Sequence, residues 1–381
     1  MMLRRLFLAA VLLLAAPAVY AQSAFDTEAS HAVIMDYETG EILFSKNGSE
    51  PMAPSSMSKL MTALMVFEAV ERGELSLEDT LPVSEDAWRR GGAASGSSTM
   101  FLDVNSRASV EDLLRGIIVQ SGNDACIVVA EALGGTEANF ADMMTERARE
   151  LGLSSANFTN ATGWPDDDHV ISAADLARLA RHIIEAYPQY YDLYTETEFT
   201  YNGIRQFNRN PLLGVFEGAD GLKTGHTSVA GYGLVASAER DAERRIVVFN
   251  GMESQADRAD EAERLMRAAF SQFEIRDIVA EGREVGEAEV YLGTSGAVPL
   301  RTAYGLTLGG HRRDLENISA EIVYFGPLNA PVAEGDLVGR LEVSLPDGRT
   351  RSVDLVAGAD VERLGAFGRA GAALAAMLRG G

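Results

Sequence analysis

The chain has 381 residues, 46% of them hydrophobic, and a formal net charge of −23 from 56 acidic and 33 basic residues. That length suits two domains with substantial cores. The acidic balance excludes nucleic-acid binding, which needs a basic face, and it speaks against attachment of the whole body to anionic lipid.

A lone cysteine, Cys126, makes no internal disulfide. Five scattered histidines lack metal-ligand spacing, so neither metal nor cofactor is expected. Met1 to Arg5 carries two arginines, Leu6 to Val19 is a short apolar run, and small residues precede Ala21. This predicts a secretory signal peptide, 1–21, and a mature chain working outside the cytoplasm. Two β-like runs, Ala32–Tyr37 and Glu41–Lys46, flank Glu38-Thr39-Gly40 and read as a hairpin. Met57–Val70 reads as a buried helix ending near Gly73. A flexible loop spans Gly91–Ser98, and helices are expected over Val110–Leu133 and Asn139–Leu151. Phe158–His169 is a loop by its Gly, Pro and Asp content, and Ser172 caps a helix reaching Ala186. Strands over Tyr232–Glu239 and Arg245–Asn250 and an amphipathic helix over Asp257–Phe273 complete one domain, 25–273, whose sheet joins both ends of the segment.

Residues 276–357 alternate short β-like runs with turns and read as a small all-β domain. In the tail, 361–381, Leu364, Phe367, Gly371, Leu374 and Leu378 share one helical stripe opposite Arg369. A membrane-interface helix is expected; a frayed tail is the other reading, since Gly365, Gly368 and Gly371 weaken a helix in water.

Chemistry centres on Ser55–Lys59, SSMSK. A spacing of three puts Ser56 and Lys59 one helical turn apart at a helix start, where free N–H groups and the dipole favour an anion. Hydroxyl, amine and anion-stabilising pole together suit acyl transfer. A serine there also serves as an ordinary helix cap. The chain has only three lysines, Lys46, Lys59 and Lys223, with Arg at every other basic position. Lysine can lose its proton when desolvated; arginine cannot. Ser121-Gly122-Asn123 and Lys223-Thr224-Gly225 follow in order. With S-x-x-K they form the signature of serine β-lactamases and penicillin-binding proteins, with Gly122 in the place of Asp.

SGSSTMFL (95–102), QSGNDAC (120–126), NATGWPDDDH (160–169), IRQFNRNPLL (204–213) and DGLKTGHT (220–227) extend the likeness. The chain resembles the low-molecular-mass penicillin-binding proteins, specifically the D-alanyl-D-alanine carboxypeptidases of the penicillin-binding-protein-5 type, peptidase family S11. The resemblance implies an α+β fold: a β-lactamase/transpeptidase-like domain, its antiparallel sheet joined to a helical cluster, then a small all-β domain. It implies a serine carboxypeptidase that removes the terminal D-Ala from peptidoglycan stem pentapeptides and is inhibited covalently by β-lactams. Ser56 would be the nucleophile, Lys59 the base, with burial and the Lys223 cation lowering its pKa, and Ser121 a proton relay. Asn123 would hold the substrate amide, and Lys223 and Thr224 would lie along the strand edge that pairs with the peptide. Gly225 would let substrate come close, and the N–H groups of Ser56 and His226 would bind the oxyanion. Arg258 would take the terminal carboxylate. Arg205 and Arg209 shape either the site or a loop; His169 and His182 are expected at the surface or in loops. The resemblance places the protein in the periplasm, on the outer face of the inner membrane through its C-terminal helix. With no glutamate motif between Ser121 and Lys223 for deacylation, penicillin should act as an inhibitor. A D,D-endopeptidase and a non-hydrolytic wall-organising protein are the alternatives.

Overall fold

The computed structural model describes residues 25–324, 326–368 and 370. The leader, 1–21, lies outside these residues, as does most of the tail. The described chain divides into two compact units, one of residues 25–278 with 307–315, the other of 279–306 with the chain from 316 onward.

In the first unit the N-terminal hairpin forms as the turn chemistry predicts, β1 (His31–Asp36) against β2 (Ile42–Lys46). Its strands join three long antiparallel ones, β3 (Ala219–Thr227), β4 (Gly231–Arg240) and β5 (Glu243–Met252), in the order β2-β1-β5-β4-β3. The sheet therefore unites both ends of the segment, and β3 is an edge. Alternate residues point to opposite faces of a strand. Val33, Met35, Val235, Ile246 and Val248 face one core, Ala32, Ile34, Ala236, Val247 and Phe249 another. The second core is closed by α6 (Gln255–Ser271), through Leu265, Met266 and Ala269.

The first core holds the helical cluster: α1 (Lys59–Glu71), α2 (Val110–Arg115), α3 (Asn123–Gly134), α4 (Glu137–Glu150) and α5 (Ala173–Ala186). Its central member is α1, where Lys59 through Ala69 are all buried. That explains an apolar run without amphipathic spacing: a helix surrounded by protein has no wet face. Ser172 caps α5 by accepting the Asp175 N–H.

Two sequence expectations need correction. The single helix over Val110–Leu133 is broken. A π-helical turn, Gly116–Gln120, follows α2, and Ser121 is left-handed (φ 65°, ψ 34°) before α3 restarts at Asn123. Ser121 thus sits at a helix break, not mid-helix. The loop Gly91–Ser98 follows a π-helical turn over Ala87–Gly91 and contains a 3₁₀ turn, Ala93–Ser95.

The second unit is built on a six-stranded sheet with Ala288, Val290, Val298, Leu300, Leu341, Val343, Val353 and Leu355 buried. The segment 307–315 instead returns to the first unit, where Leu306–His311 pairs with Phe273–Val279. Among the described residues no helix is long and apolar enough to cross a membrane.

Asp36 and Arg245, on paired strands β1 and β5, form an ion pair with side chains 6% and 5% exposed. Asp36 also accepts the Thr39 N–H (2.8 Å) and hydroxyl (2.6 Å), fixing the hairpin turn. Asp36→Ala leaves the buried guanidinium only the more exposed Glu243 carboxylate (3.0 Å) and should cost about 3 kcal/mol of stability. Breaking the exposed Arg205–Glu198 pair should leave stability nearly unchanged. Urea unfolding of the two variants measures the contrast; equal losses would contradict it.

Candidate active site

Ser56 lies in a 3₁₀ turn, Ser55–Ser58, that runs into α1. Neither segment uses a serine side chain as a cap: Ser58 Oγ donates to the Ser55 carbonyl (3.0 Å), and no side-chain cap bond forms at either start. That removes the capping reading and leaves the Ser56 hydroxyl facing Lys59, whose Nζ lies 2.8 Å away. Ser55 holds a left-handed backbone (φ 51°), and its hydroxyl donates to Thr227 Oγ1 (3.2 Å) on β3. Non-glycine residues in that region cost about 1–3 kcal/mol and persist where packing over-determines them. Here the packing partner is Gly225: a Cβ on it would stand 2.9 Å from the Pro54 carbonyl oxygen and 3.1 Å from Ser55 Cβ. Its missing side chain admits the nucleophile's turn against the strand.

Lys59 is 1% exposed. Beyond Ser56 it reaches two acceptors, Asn123 Oδ1 at 2.8 Å and the Thr162 carbonyl. Among the described residues no carboxylate pairs with it. Burial first, helped by the Arg209 charge and opposed by Cys126, Asp124 and Glu137, brings its pKa down to about 8. The Lys223 charge suggested by the sequence does face Lys59, since the two amines repel each other, and Arg209 adds a second cation. Lys223, buried on edge strand β3, is itself held well below the usual lysine range by burial, then by the Lys59 and Arg209 charges. Its Nζ donates to the Thr224 carbonyl at 3.2 Å.

Ser121 and Asn123 come in from the helix break. Asp124, next in sequence, explains why the break holds. Its buried carboxylate accepts the Thr99 hydroxyl (2.6 Å) and the N–H groups of Met100 (2.9 Å), Leu102 (3.1 Å) and Ala125 (3.0 Å). Together with the Asn123 N–H donated to the Ser98 carbonyl (2.8 Å), it fastens loop 98–102 to the start of α3. Ser121 Oγ is left buried without a hydrogen-bond partner. A free hydroxyl there can pass a proton.

Arg258, on α6, is 4% exposed, donates to the Arg209 carbonyl (3.3 Å) and lies 5.7 Å from the Tyr232 ring centre. His226, exposed on β3, stacks on that ring with centroids 3.8 Å apart. Arg209 donates to Ser98 Oγ (2.8 Å). Arg205 instead pairs with Glu198 at the surface, which resolves the two arginines: Arg209 belongs to the site and Arg205 to the hairpin Glu198–Phe207. Lys59, Lys223, Arg209 and Arg258 form no ion pair among the described residues. Basic groups gathered without carboxylate partners, in a chain of net charge −23, leave the charge of Arg209 and Arg258 available to an anion.

The D-alanyl-D-alanine carboxypeptidase family profile matches residues 18–253. The chain belongs to that family. The profile of the penicillin-binding protein 5 C-terminal domain matches residues 273–363. This carboxypeptidase is 36% identical over 341 residues to D-alanyl-D-alanine carboxypeptidase DacA of Haemophilus influenzae, covering 88% of this chain and 86% of that one. The crystal structure of D-alanyl-D-alanine carboxypeptidase DacD from Francisella tularensis superposes with a TM-score of 0.76 at 30% identity, over 92% of this chain and 98% of that one. Penicillin-binding protein D2 from Listeria monocytogenes, in an ampicillin-bound form, matches with a TM-score of 0.57 at 31% identity, over 66% of this chain and all of that one (100%).

The sequence missed two contributors to this carboxypeptidase's site. The Thr162 carbonyl is backbone, and no side-chain pattern announces it. Asp124 stood inside the quoted QSGNDAC but carried no sign of its four donors. His169 lies in a loop, one of its two expected settings, but not at the surface: it is 2% exposed, edge-on to Phe158, and its Nδ1 accepts the Thr159 N–H at 3.1 Å. Burial holds its pKa down at about 4. Unfolding then takes up a proton between the unfolded value near ~6.5 and the folded one. Stability from His169 should be intact above about pH 6.5 and fall by about 3 kcal/mol as pH drops to 4. Urea midpoints across that range should show the slope, and His169→Phe should flatten it; an unchanged slope would refute the assignment.

Proposed function

We propose that this protein works as a serine D-Ala-D-Ala carboxypeptidase through an acyl-enzyme on Ser56. The observation that carries the reading is the 2.8 Å contact between Ser56 Oγ and a buried lysine with no counter-ion. With its pKa near 8, Lys59 is neutral in a usable fraction of molecules at ordinary pH, and a neutral amine can take the Ser56 proton. The freed Oγ attacks the carbonyl between the last two residues of the stem pentapeptide. Backbone N–H groups of Ser56 and His226 bind the oxyanion. The proton passes from Lys59, by way of Ser121, to the leaving D-Ala nitrogen; water then hydrolyses the ester and returns the hydroxyl.

Substrate placement follows the same residues. An extended peptide pairs with β3, the free edge, beside Lys223 and Thr224, and Asn123 faces its amide. Arg258, with Arg209 against it, takes the terminal carboxylate; the fork of a guanidinium suits that group. β-lactams acylate Ser56 in place of the peptide.

The leader 1–21 exports the chain, domain 25–273 performs the reaction, and the small β domain, 276–357, supports it. Segment 361–381 rests on the outer face of the inner membrane. Apolar Leu364 and Phe367, the latter 96% exposed, support that attachment.

Ser56→Ala should abolish both D-Ala release from a pentapeptide and covalent labelling by fluorescent penicillin. Retained labelling would refute Ser56 as nucleophile. The acylation rate should climb as pH rises through about 8, where Lys59 loses its proton. Lys59→Arg, which cannot lose one, should lower the rate at every pH by at least ~100-fold. A rate independent of pH between 6 and 10 would exclude Lys59 as base.

A further inference from the structure

One side chain holds the backbone from 160 to 164. Asn160 Oδ1 accepts the N–H groups of Thr162 (3.1 Å), Gly163 (2.8 Å) and Trp164 (3.1 Å), and the Thr162 hydroxyl (3.0 Å). Its Nδ2 donates to the Trp164 carbonyl (3.1 Å) and to Thr159 Oγ1 (3.3 Å). Three consecutive N–H groups aimed at one oxygen curl the chain around it. The Thr162 carbonyl meets Lys59 Nζ on the other side.

The turn is tied to the helices and to the nucleophile. Thr62 on α1 donates to the Ala161 carbonyl (2.8 Å), and the Ala161 N–H donates to Glu137 Oε1 (3.2 Å) on α4. Gly163 is left-handed (φ +82°), and a Cβ there would lie 2.1 Å from the Ser55 carbonyl oxygen. The segment thus presses on the turn that carries Ser56.

A neutral amine has two N–H groups and one lone pair. The Thr162 carbonyl and Asn123 Oδ1 can only accept, so each takes one N–H of neutral Lys59. The third direction, toward Ser56, is then the lone pair's. We propose that Asn160 is a positioning residue for acylation. By aiming the Thr162 carbonyl at Lys59 Nζ, it turns the lone pair of the amine toward the Ser56 hydroxyl. The inference rests on Ser56 and Lys59 acting as nucleophile and base.

Three lysines make the amine directly observable: [ε-13C]lysine labelling gives signals from Lys46, Lys59 and Lys223 alone. The charged and titratable groups facing Lys59 are Cys126, Arg209, Asp124, Glu137, Lys223 and His169; none is altered by a change at 160, and Glu137 and His169, which bond the Ala161 and Thr159 N–H groups, are the two that adjoin it. In Asn160→Ala the Lys59 ammonium loses an acceptor, and its titration midpoint should fall by roughly half a pH unit or more. Penicillin acylation, measured above that midpoint, should slow by ~10–100-fold, the usual cost of a misplaced catalytic group. A Lys59 signal that titrates as in the parent protein, or higher, overturns the proposal whatever the rate. Asn160→Asp keeps an acceptor oxygen for the four donors and should restore acylation to within ~5-fold of the parent above its own midpoint, as a preserved geometry requires. If it is as slow as the alanine variant, or loses ~10-fold where the alanine variant does not fold, the acceptor role is wrong. The lysine signal needs no turnover, so an error in the nucleophile assignment would leave this readout intact.

Discussion

A lysine sits at the centre of the first unit with no carboxylate paired to it among the described residues. Lys59 is almost wholly buried, and its partners are neutral: a hydroxyl, an amide oxygen and a backbone carbonyl. Burying an unpaired ammonium is costly, and the group responds by releasing its proton more easily. Everything around it serves that condition. The helix that carries it is surrounded by protein, and each of its three acceptors comes from a different part of the chain.

The surrounding charges extend the same logic. An acidic protein could readily have paired Lys223, Arg209 and Arg258 with carboxylates, as it does for the half-buried Arg147 and Arg244. It leaves these three free of ion pairs at one place. Their mutual repulsion is a standing cost, offset when an anion arrives. An exposed sheet edge beside them supplies main-chain groups for an extended peptide. A carboxylate at the end of a peptide meets both requirements, in keeping with the family to which the chain belongs.

Two of the chain's left-handed residues lie at the same place. Ser55 and Ser121 both adopt left-handed backbone, and a π-helical turn precedes the second. Such irregularities recur at functional sites because they aim a side chain where regular structure cannot. Each is held by a nearby device. Gly225 lets the strand approach Ser55, and the Asp124 carboxylate gathers four donors behind Ser121 and Asn123.

Much of this was written in the chain. Three ordered motifs, and lysine kept at only three positions in an arginine-rich sequence, identified Ser56, Lys59, Ser121, Asn123 and Lys223 as candidates. Hydrophobic period and turn residues gave the hairpin, the buried helix and the capped α5, because those signals are local. The break at Ser121 escaped, since 110–133 is apolar enough to read as one helix and only contact with loop 98–102 interrupts it. Arg209 and Arg205 looked alike in sequence; one was separated from the other by where the fold placed a glutamate. The Thr162 carbonyl could not be read at all, because a backbone oxygen has no letter of its own. Residue types and their order thus determined which groups were available for chemistry. Which of them lost water, which lost their counter-ions and which way the amine faces were decided by tertiary packing, because desolvation and hydrogen-bond direction depend on neighbours far away in sequence.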